Sequence, residues 1–337
     1  MYGQRSHDCS RWSQDARRRV RRRARPQCVF SRAPGPDALA RSRRRFGVSG
    51  STLRSLLDKH NLRLRRELGQ NFIVEEQVAD RVATLAGVEP SDCVIEVGTG
   101  LGTLTHAIAK RAKFVLTVEI DSGLVRTLGE ESLLDDNVEL IHADVGKLDL
   151  AEIIARLAKE HGGNVRFVAN LPFSSATPLL RRLLDLRHLL VDWSVILQSE
   201  VAERLFAPVN TRDYGSLAVL HQLCAEPGQR AVLGAQTFFP APRVDSTLVS
   251  MRANDSAGLA PGELKKVERV ARAAFGKRRK TLLNALRGGG LGLESDVILS
   301  TLESVGIDPR ARAETVLPGA FLELTRALDK GGNHGTG

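Results

Sequence analysis

Cysteine is scarce in this chain: four occur in 337 residues, Cys9, Cys28, Cys93 and Cys224. No two form a CxxC pair or stand at a metal-ligand spacing, which argues against a disulfide scaffold or a zinc site. Cys93 opens an apolar run, where a small buried thiol is the usual outcome. A reducing compartment, the cytoplasm, and a protein with no metal are the expectations. Long apolar runs are also missing. No stretch approaches the roughly 18 residues of a membrane span, so a soluble protein is expected. Internal repeats are absent as well.

Lysine is absent from the first 50 residues, which hold 14 arginines and three aspartates. From position 51 on there are 35 basic and 36 acidic residues, against 49 and 39 in the whole chain. The net charge of +10 therefore sits in the leader, and the remainder is nearly neutral. Triplets such as Arg17-Arg18-Arg19 and Arg43-Arg44-Arg45 alternate there with Pro and Ser, with little apolar periodicity. Such a segment buries too little surface to offset its ordering entropy, so residues 1–50 are expected to be disordered. A non-specific RNA-binding arm and an organellar transit peptide both fit its composition. The preferred reading is a mis-assigned start, since arginine without lysine is what GC-rich codons give.

Beyond the leader, strand and helix signals alternate. Leucines at 53, 56, 57, 62 and 64 suggest a helix, and Val78, Val82 and Leu85 predict another that ends near Gly87. Strands are expected over 93–97, 113–120, 138–143, 165–169 and 193–197. Helices are expected over 103–111, 150–160, 178–186 and 200–206. This is the pattern of a doubly wound α/β sheet. Residues 217–224, 231–238 and 246–251 read as antiparallel edge strands added at its far side. A Gly/Pro linker over 253–261 leads to a helical stretch ending near Leu328. The expected organisation is a catalytic domain over 51–252 and a small all-α RNA-binding domain over 262–328.

Two strand ends carry chemistry. Val94 to Gly102 reads Val-Ile-Glu-Val-Gly-Thr-Gly-Leu-Gly, a strand running into a glycine-rich turn and a helix. Gly98 and Gly100 let backbone pass close to a ligand at the carboxyl end of the strand. Glu119 ends the next strand, where a carboxylate accepts from a ribose diol. Asp144 ends the third, placed to accept from an adenine amino group. The spacing is GxGxG and not GxGxxG, and no hydride-transfer acid or base stands out, since His142 and His161 are isolated. NAD and S-adenosylmethionine are therefore separated by the fourth strand end, Asn170-Leu171-Pro172-Phe173. The Asn170 side-chain oxygen and the Leu171 carbonyl can accept both hydrogens of an exocyclic amine. Pro172 stiffens the turn, and Phe173 offers a ring on which a base stacks. That set points to methyl transfer to a base amine.

Several separated segments, in order, resemble the dimethyladenosine transferase family that modifies small-subunit ribosomal RNA. They are Leu68-Gly-Gln-Asn-Phe72, the turn after Glu96, Val118-Glu-Ile-Asp121, Asn170-Leu-Pro-Phe173 and Gln198-Ser-Glu-Val-Ala-Glu-Arg204. Tyr214-Gly-Ser216, Phe239-Pro-Ala-Pro-Arg-Val-Asp-Ser246 and Phe275-Gly-Lys-Arg-Arg-Lys-Thr-Leu282 complete the set. The resemblance spans about residues 62–325. It implies an α/β, class I (Rossmann-like) S-adenosylmethionine-dependent methyltransferase sheet with a small C-terminal all-α domain. Carried over by position, it implies that Asn71, Ile73, Gly98, Glu119, Asp144 and Asn170 contact S-adenosylmethionine. Three positions depart from the family's habit: Thr99 where Pro is frequent, Phe173 where Tyr is frequent, and Ser199 where Lys is usual. Phe173 keeps a stacking face without a phenol, and Ser199 removes one positive charge.

The implied reaction is N6,N6-dimethylation of two adjacent adenosines near the 3′ end of small-subunit rRNA, in a partly assembled ribosomal subunit, by a monomeric enzyme. The large-subunit rRNA adenine methyltransferases of macrolide resistance share the sheet and the Asn-x-Pro-aromatic turn, and they are the alternative. A non-catalytic assembly factor is a third reading, against which Glu119, Asp144 and Asn170 argue. Residues 265–287 hold nine cations against one acid, Glu268. Ala271, Phe275, Leu282 and Leu286 supply a buried stripe that leaves most cations outward. Lys277, Arg278, Arg279 and Lys280 then read as a phosphate clamp, with Arg243 in the Pro-rich turn a further phosphate contact.

Overall fold

A computed structural model describes residues 28–30, 50–62, 69–171, 173–277 and 279–332. Most of the Arg-rich leader, and the expectation of disorder made for it, lies outside the described residues. The chain begins with β1 (Cys28–Phe30), α1 (Gly50–Lys59) and the short strand β2 (Phe72–Ile73). Next come α2 (Glu76–Leu85), β3 (Cys93–Val97), α3 (Thr103–Ala109), β4 (Phe114–Glu119) and α4 (Ser122–Glu130). Then follow β5 (Val138–His142), α5 (Leu150–His161), β6 (Val165–Asn170), α6 (Phe173–Leu186) and β7 (Trp193–Gln198). Helices α7 (Ser199–Leu205) and α8 (Ser216–Cys224) lead to β8 (Ala225–Leu233), β9 (Phe238–Phe239) and β10 (Ser246–Ala253). Four helices follow: α9 (Glu263–Phe275), α10 (Leu282–Arg287), α11 (Ser295–Ser304) and α12 (Pro318–Gly332).

Strands β3 to β7 are parallel and carry antiparallel additions at both ends, giving the order β1-β5-β4-β3-β6-β7-β10-β8. Helices cover both faces, so the central strands are apolar on both sides. On β3, Cys93, Ile95 and Val97 enter the core beneath α5 and α6, and Val94 enters the one beneath α2 and α3. The Cys93 thiol is fully buried and free, and burial pushes its pKa up. Helix starts obey local chemistry. Asp121 accepts from the Gly123 and Leu124 amides to cap α4, and Asp149 does the same for α5 through Ala151 and Glu152. Helix α4 was not anticipated from the sequence, although Asp121 carried its capping signal.

Two expectations fail on the far side of the sheet. Residues 217–224 form helix α8 and not a strand. Ala218, Val219, Leu220, His221, Leu223 and Cys224 are all buried, so no polar stripe marks the helical period. The edge strand starts instead at Ala225 and stops at Leu233, short of the expected end at Phe238. Pro227 lies within it, which an edge strand tolerates, and the partner β10 shifts register between Val249 and Met251 opposite that segment. After Gly234 the chain leaves the sheet, and β9 pairs with β2 instead, Phe239 against Phe72 and Phe238 against Ile73.

Helices α9 to α12 share one core with the α5, α6 and α8 side of the sheet, from Cys93 through Leu328. Tyr214 ties the two parts together. Its hydroxyl donates to the Val316 carbonyl at 2.8 Å, and its ring meets Phe275 edge-on at 5.6 Å. On α9, Leu264, Val267, Val270, Ala271 and Ala274 form the buried stripe, and Lys265, Lys266, Arg269 and Arg272 face outward. No described helix is long and apolar enough to cross a membrane.

Candidate active site

A cleft opens along the carboxyl end of the sheet, roofed by the Gly69–Phe72 segment and by Phe238 of β9. Its walls follow strand order. Asp144 follows β5, Glu119 ends β4, Gly98 follows β3, and Asn170 ends β6; Ile196 of β7 and Ser246 at the start of β10 lie beyond. Asn71, Gly98, Gly100, Glu119, Asp144, Asn170 and Leu171 thus come together as the sequence reading expects. Ile73 does not line the cleft; it is buried in the core beside Ala79 and Val82. Pro172 lies outside the described residues, and so does the Phe173 ring.

The glycine turn is shaped by close approach. Gly98 has φ +90°, and a Cβ there would stand 3.3 Å from the Asn170 carbonyl oxygen. Gly100 has φ +60°, and a Cβ there would strike the Phe72 ring at 2.7 Å. A side chain at either position is both strained and obstructed. Glu119 is held against this turn. Its Oε2 accepts from the Gly100 amide at 3.0 Å, and its Oε1 accepts from the Ile120 and Asp121 amides at 2.9 Å. Burial raises its pKa, and the three amides act in the opposite direction. A carboxylate has about four acceptor sites, and with three taken by amides one remains for a ribose hydroxyl.

A second acid lies beneath the turn. Glu96 is fully buried, and its Oε2 accepts from the hydroxyls of Thr105 (2.6 Å) and Thr117 (2.7 Å). Thr99, at one of the positions that depart from the family's habit, pairs with Thr117 at 2.7 Å, so its hydroxyl joins this network. Glu96 Oε1 is buried without a partner. Desolvation drives the Glu96 pKa up to about 7, against the lowering effect of the two threonines.

Asn170 is oriented by the roof. Its Nδ2 donates to the Asn71 carbonyl at 2.7 Å, which leaves Oδ1 as the acceptor on that amide. Gln70 Nε2 donates to Asp121 Oδ2 at 3.1 Å and ties the same segment to the start of α4. Asp144 caps the following turn by accepting from the Gly146 amide at 2.9 Å. The cleft also contains residues to which the sequence reading gave no role: Ile120, Leu124, Ile196, Phe238 and Ser246. Ile120, directly after Glu119, is an apolar side chain left 48% exposed. Ser199, at the position where Lys is usual, bonds the Asp245 carbonyl (3.1 Å) and Thr247 (2.8 Å), knitting α7 to β10.

The residues 61–330 match the family described as ribosomal RNA adenine dimethylase. The chain belongs to that family. Curated relatives are matched over nearly their whole length. A ribosomal RNA small subunit methyltransferase A of Alkaliphilus metalliredigens is 36% identical over 288 residues, which is 83% of this chain and 97% of that one. One from Geobacter metallireducens is 37% identical over 267 residues, covering 79% and 96%. Among solved structures, a dimethyladenosine transferase of Plasmodium falciparum superposes with a TM-score of 0.61 at 24% identity, covering 76% of this chain and 96% of that one. The 23S rRNA methyltransferase ErmE gives 0.52 at 24% identity, covering 77% and 100%. Both share the methyltransferase fold.

The fold and family imply S-adenosylmethionine as methyl donor, and the cleft fits it. Acidic groups at the ends of β4 and β5 suit a ribose and an adenine amine, glycines clear the turn, and apolar walls flank both. Among the described residues no cluster of three or more His, Cys, Asp or Glu suits a metal ion. The cations that the sequence reading expects to meet RNA lie elsewhere. Lys277, Arg279 and Lys280 are exposed in the turn between α9 and α10, Arg243 is exposed in the Pro-rich loop, and Arg278 lies outside the described residues.

Proposed function

We propose that this enzyme dimethylates N6 of two adjacent adenosines in the 3′-terminal hairpin of small-subunit rRNA, acting as a monomer in the cytoplasm on a partly assembled subunit. The observation that carries the chemistry is the oriented amide of Asn170 beside the Leu171 carbonyl, at the one strand end where the cleft passes from carboxylates to apolar walls. The relatives' names carry the choice of subunit, because each covers nearly its whole length in this chain. The likeness to the 23S rRNA enzyme extends to fold alone.

S-adenosylmethionine, when bound, supplies an electrophilic sulfonium methyl. Asn71, Gly98, Gly100, Glu119 and Asp144 would hold it. Asn170 Oδ1 and the Leu171 carbonyl accept the two N6 hydrogens, which favours a tetrahedral nitrogen with its lone pair free for in-line attack. Catalysis is then alignment and electrostatics, and the alkylated ammonium is acidic enough to lose its proton to water. The base must leave its stack to arrive there, with Phe173 replacing the former stacking neighbour at roughly 1–3 kcal/mol. Residues 51–252 form the catalytic part in this reading, and 262–328 bind RNA through Lys277–Lys280. The test is incubation with labelled S-adenosylmethionine and small subunits lacking the modification, followed by mass spectrometry of the nucleosides. Dimethyladenosine at the paired adenosines is expected. Label on naked large-subunit rRNA alone would overturn the assignment.

A further inference from the structure

Helix α1 stands before the family-matched residues 61–330 and supplies no residue to the cleft, yet it packs on the cleft's roof. Its Leu56 and Leu57, with Leu62 just beyond its end, share one apolar cluster with Phe72, Leu101 and Leu124. Phe72 and Leu124 line the cleft. The Phe72 ring lies over Gly100, on the glycine turn. The residue before it, Asn71, carries the carbonyl that orients the Asn170 amide. A continuous path therefore runs from the leucines of α1 through Phe72 and Asn71 to Asn170.

A polar clamp holds α1 down beside this seam. The side chain of His60, directly after the helix, is 10% exposed, and both of its ring nitrogens meet carboxylates at the end of α4. Nδ1 is 3.2 Å from Glu130 Oε2, and Nε2 is 2.5 Å from Glu131 Oε1. A neutral imidazole donates from one nitrogen only, so two carboxylate partners at once call for the imidazolium. Lys59 Nζ joins at 2.6 Å from Glu131, and Lys59 and His60 together hold the Glu131 carboxyl below the usual carboxylate range. Arg126, 4.0 Å from Glu130, is the further charge beside the clamp. Two carboxylates at a helix C-terminus oppose its dipole, so a cation lodged between them stabilises that end of α4 as well.

We propose that His60 is a positioning residue for methyl transfer: its imidazolium, held between Glu130 and Glu131, docks α1 on the roof and so fixes Phe72 and the Asn170 amide. This rests on the methyl-transfer reading above. When the imidazolium gives up its proton, one of the two carboxylates loses its donor, and α1 is held by its leucines and Lys59 alone. The roof then moves with the helix. The competent form of the cleft is less populated, and affinity for the methyl donor falls by that fraction. The loss therefore runs with rising pH. His60 does not line the cleft, so it acts on this population and not on the displacement itself.

The experiment is calorimetry of S-adenosylmethionine binding to the full chain from about pH 5.5 to 8.5, a range in which histidine changes charge. Wild type is compared with His60→Gln, His60→Arg and Glu130→Gln. H60Q should bind about fivefold more weakly than wild type at the acid end and converge with it at the alkaline end. H60R keeps two donors at every pH, so it should match wild type at the acid end and exceed it at the alkaline end. Glu96 and Glu119 are common to all the variants, so the ratio of wild type to H60R isolates His60. The Glu130 side chain is 54% exposed, so E130Q leaves the fold intact, and E130Q combined with H60Q should lose no more than H60Q alone. At saturating S-adenosylmethionine, kcat of H60Q on small subunits should return to within about twofold of wild type, because the bound ligand redocks the roof. An H60Q affinity within about 1.5-fold of wild type at the acid end, H60R binding no better than H60Q, or full additivity of E130Q with H60Q overturns the clamp. Wild type that shows these binding trends yet methylates no small subunit overturns the underlying reading instead.

Discussion

The two halves of the sheet edge solve different problems with the same backbone. On the β3–β5 side, buried carboxylates are held by backbone amides and threonines: Glu119 by three N–H groups, Glu96 by two hydroxyls. On the β7–β10 side the lining comes from Ile196 and Ser246, with Phe238 of β9 above, and carries no carboxylate. Parallel strands feeding helices provide convergent amides for holding anions. Antiparallel strands joined by a Pro-rich loop provide a shaped apolar wall. The cationic, hydrogen-bond-rich donor suits the first half and the uncharged flat base suits the second, with Asn170 between them.

The sharpest way to break this division is at its boundary. Asn170→Ala should abolish methylation, by about a thousandfold or more, and leave folding and most RNA binding intact. Retention of half the rate would refute the role given to its amide. Glu119→Gln comes next. It places a donor against backbone N–H groups and removes a charged acceptor, so cofactor binding, read by calorimetry, should weaken about a hundredfold. Equal weakening of adenosine binding would blur the two halves into one. Neutralising Lys277–Lys280 should weaken RNA binding and reduce the salt slope by about one for each phosphate no longer neutralised, with cofactor affinity unchanged. An unchanged slope would remove the clamp.

The smallest effect concerns stability. Burial raises the Glu96 pKa from 4.5 to about 7 in the folded state. The folded protein therefore holds this proton more tightly than the unfolded chain does. The associated stability is fully present below about pH 4.5 and is lost as pH rises through about 7. Glu96→Gln should flatten the melting temperature against pH over that interval and leave acid behaviour unchanged. His221 works in the opposite sense: burial lowers its pKa to about 4, so its penalty grows as pH falls below 6.5. A variant of Glu96 that alters only the acid limb would contradict the assignment.

Much of this was legible before the fold was known. The strand ends at Gly98, Glu119, Asp144 and Asn170 announced themselves because glycine, carboxylate and amide each follow a buried apolar run, where a parallel sheet presents its ligand edge. Helix α8 was not legible, because burial on nearly every face erased its period. The early start of β8 was hidden by Pro227 and Gly228, residues that strands disfavour but an edge tolerates. Ile196 and Phe238 carry no signal of their own, and Ser246 stood out only as the last residue of a segment shared with the family. What brings them to the cleft is the antiparallel pairing of β10 with β7 and of β9 with β2, long-range register that local pattern does not encode.

The most direct test of the division is a crystal structure with S-adenosylhomocysteine and adenosine bound together. The account predicts the cofactor product along Gly98, Glu119 and Asp144. Adenosine should lie on the β7 side of Asn170, with N6 at Asn170 and Leu171. Adenosine seated elsewhere, or a cofactor product crossing Asn170 to the β7 side, would contradict it.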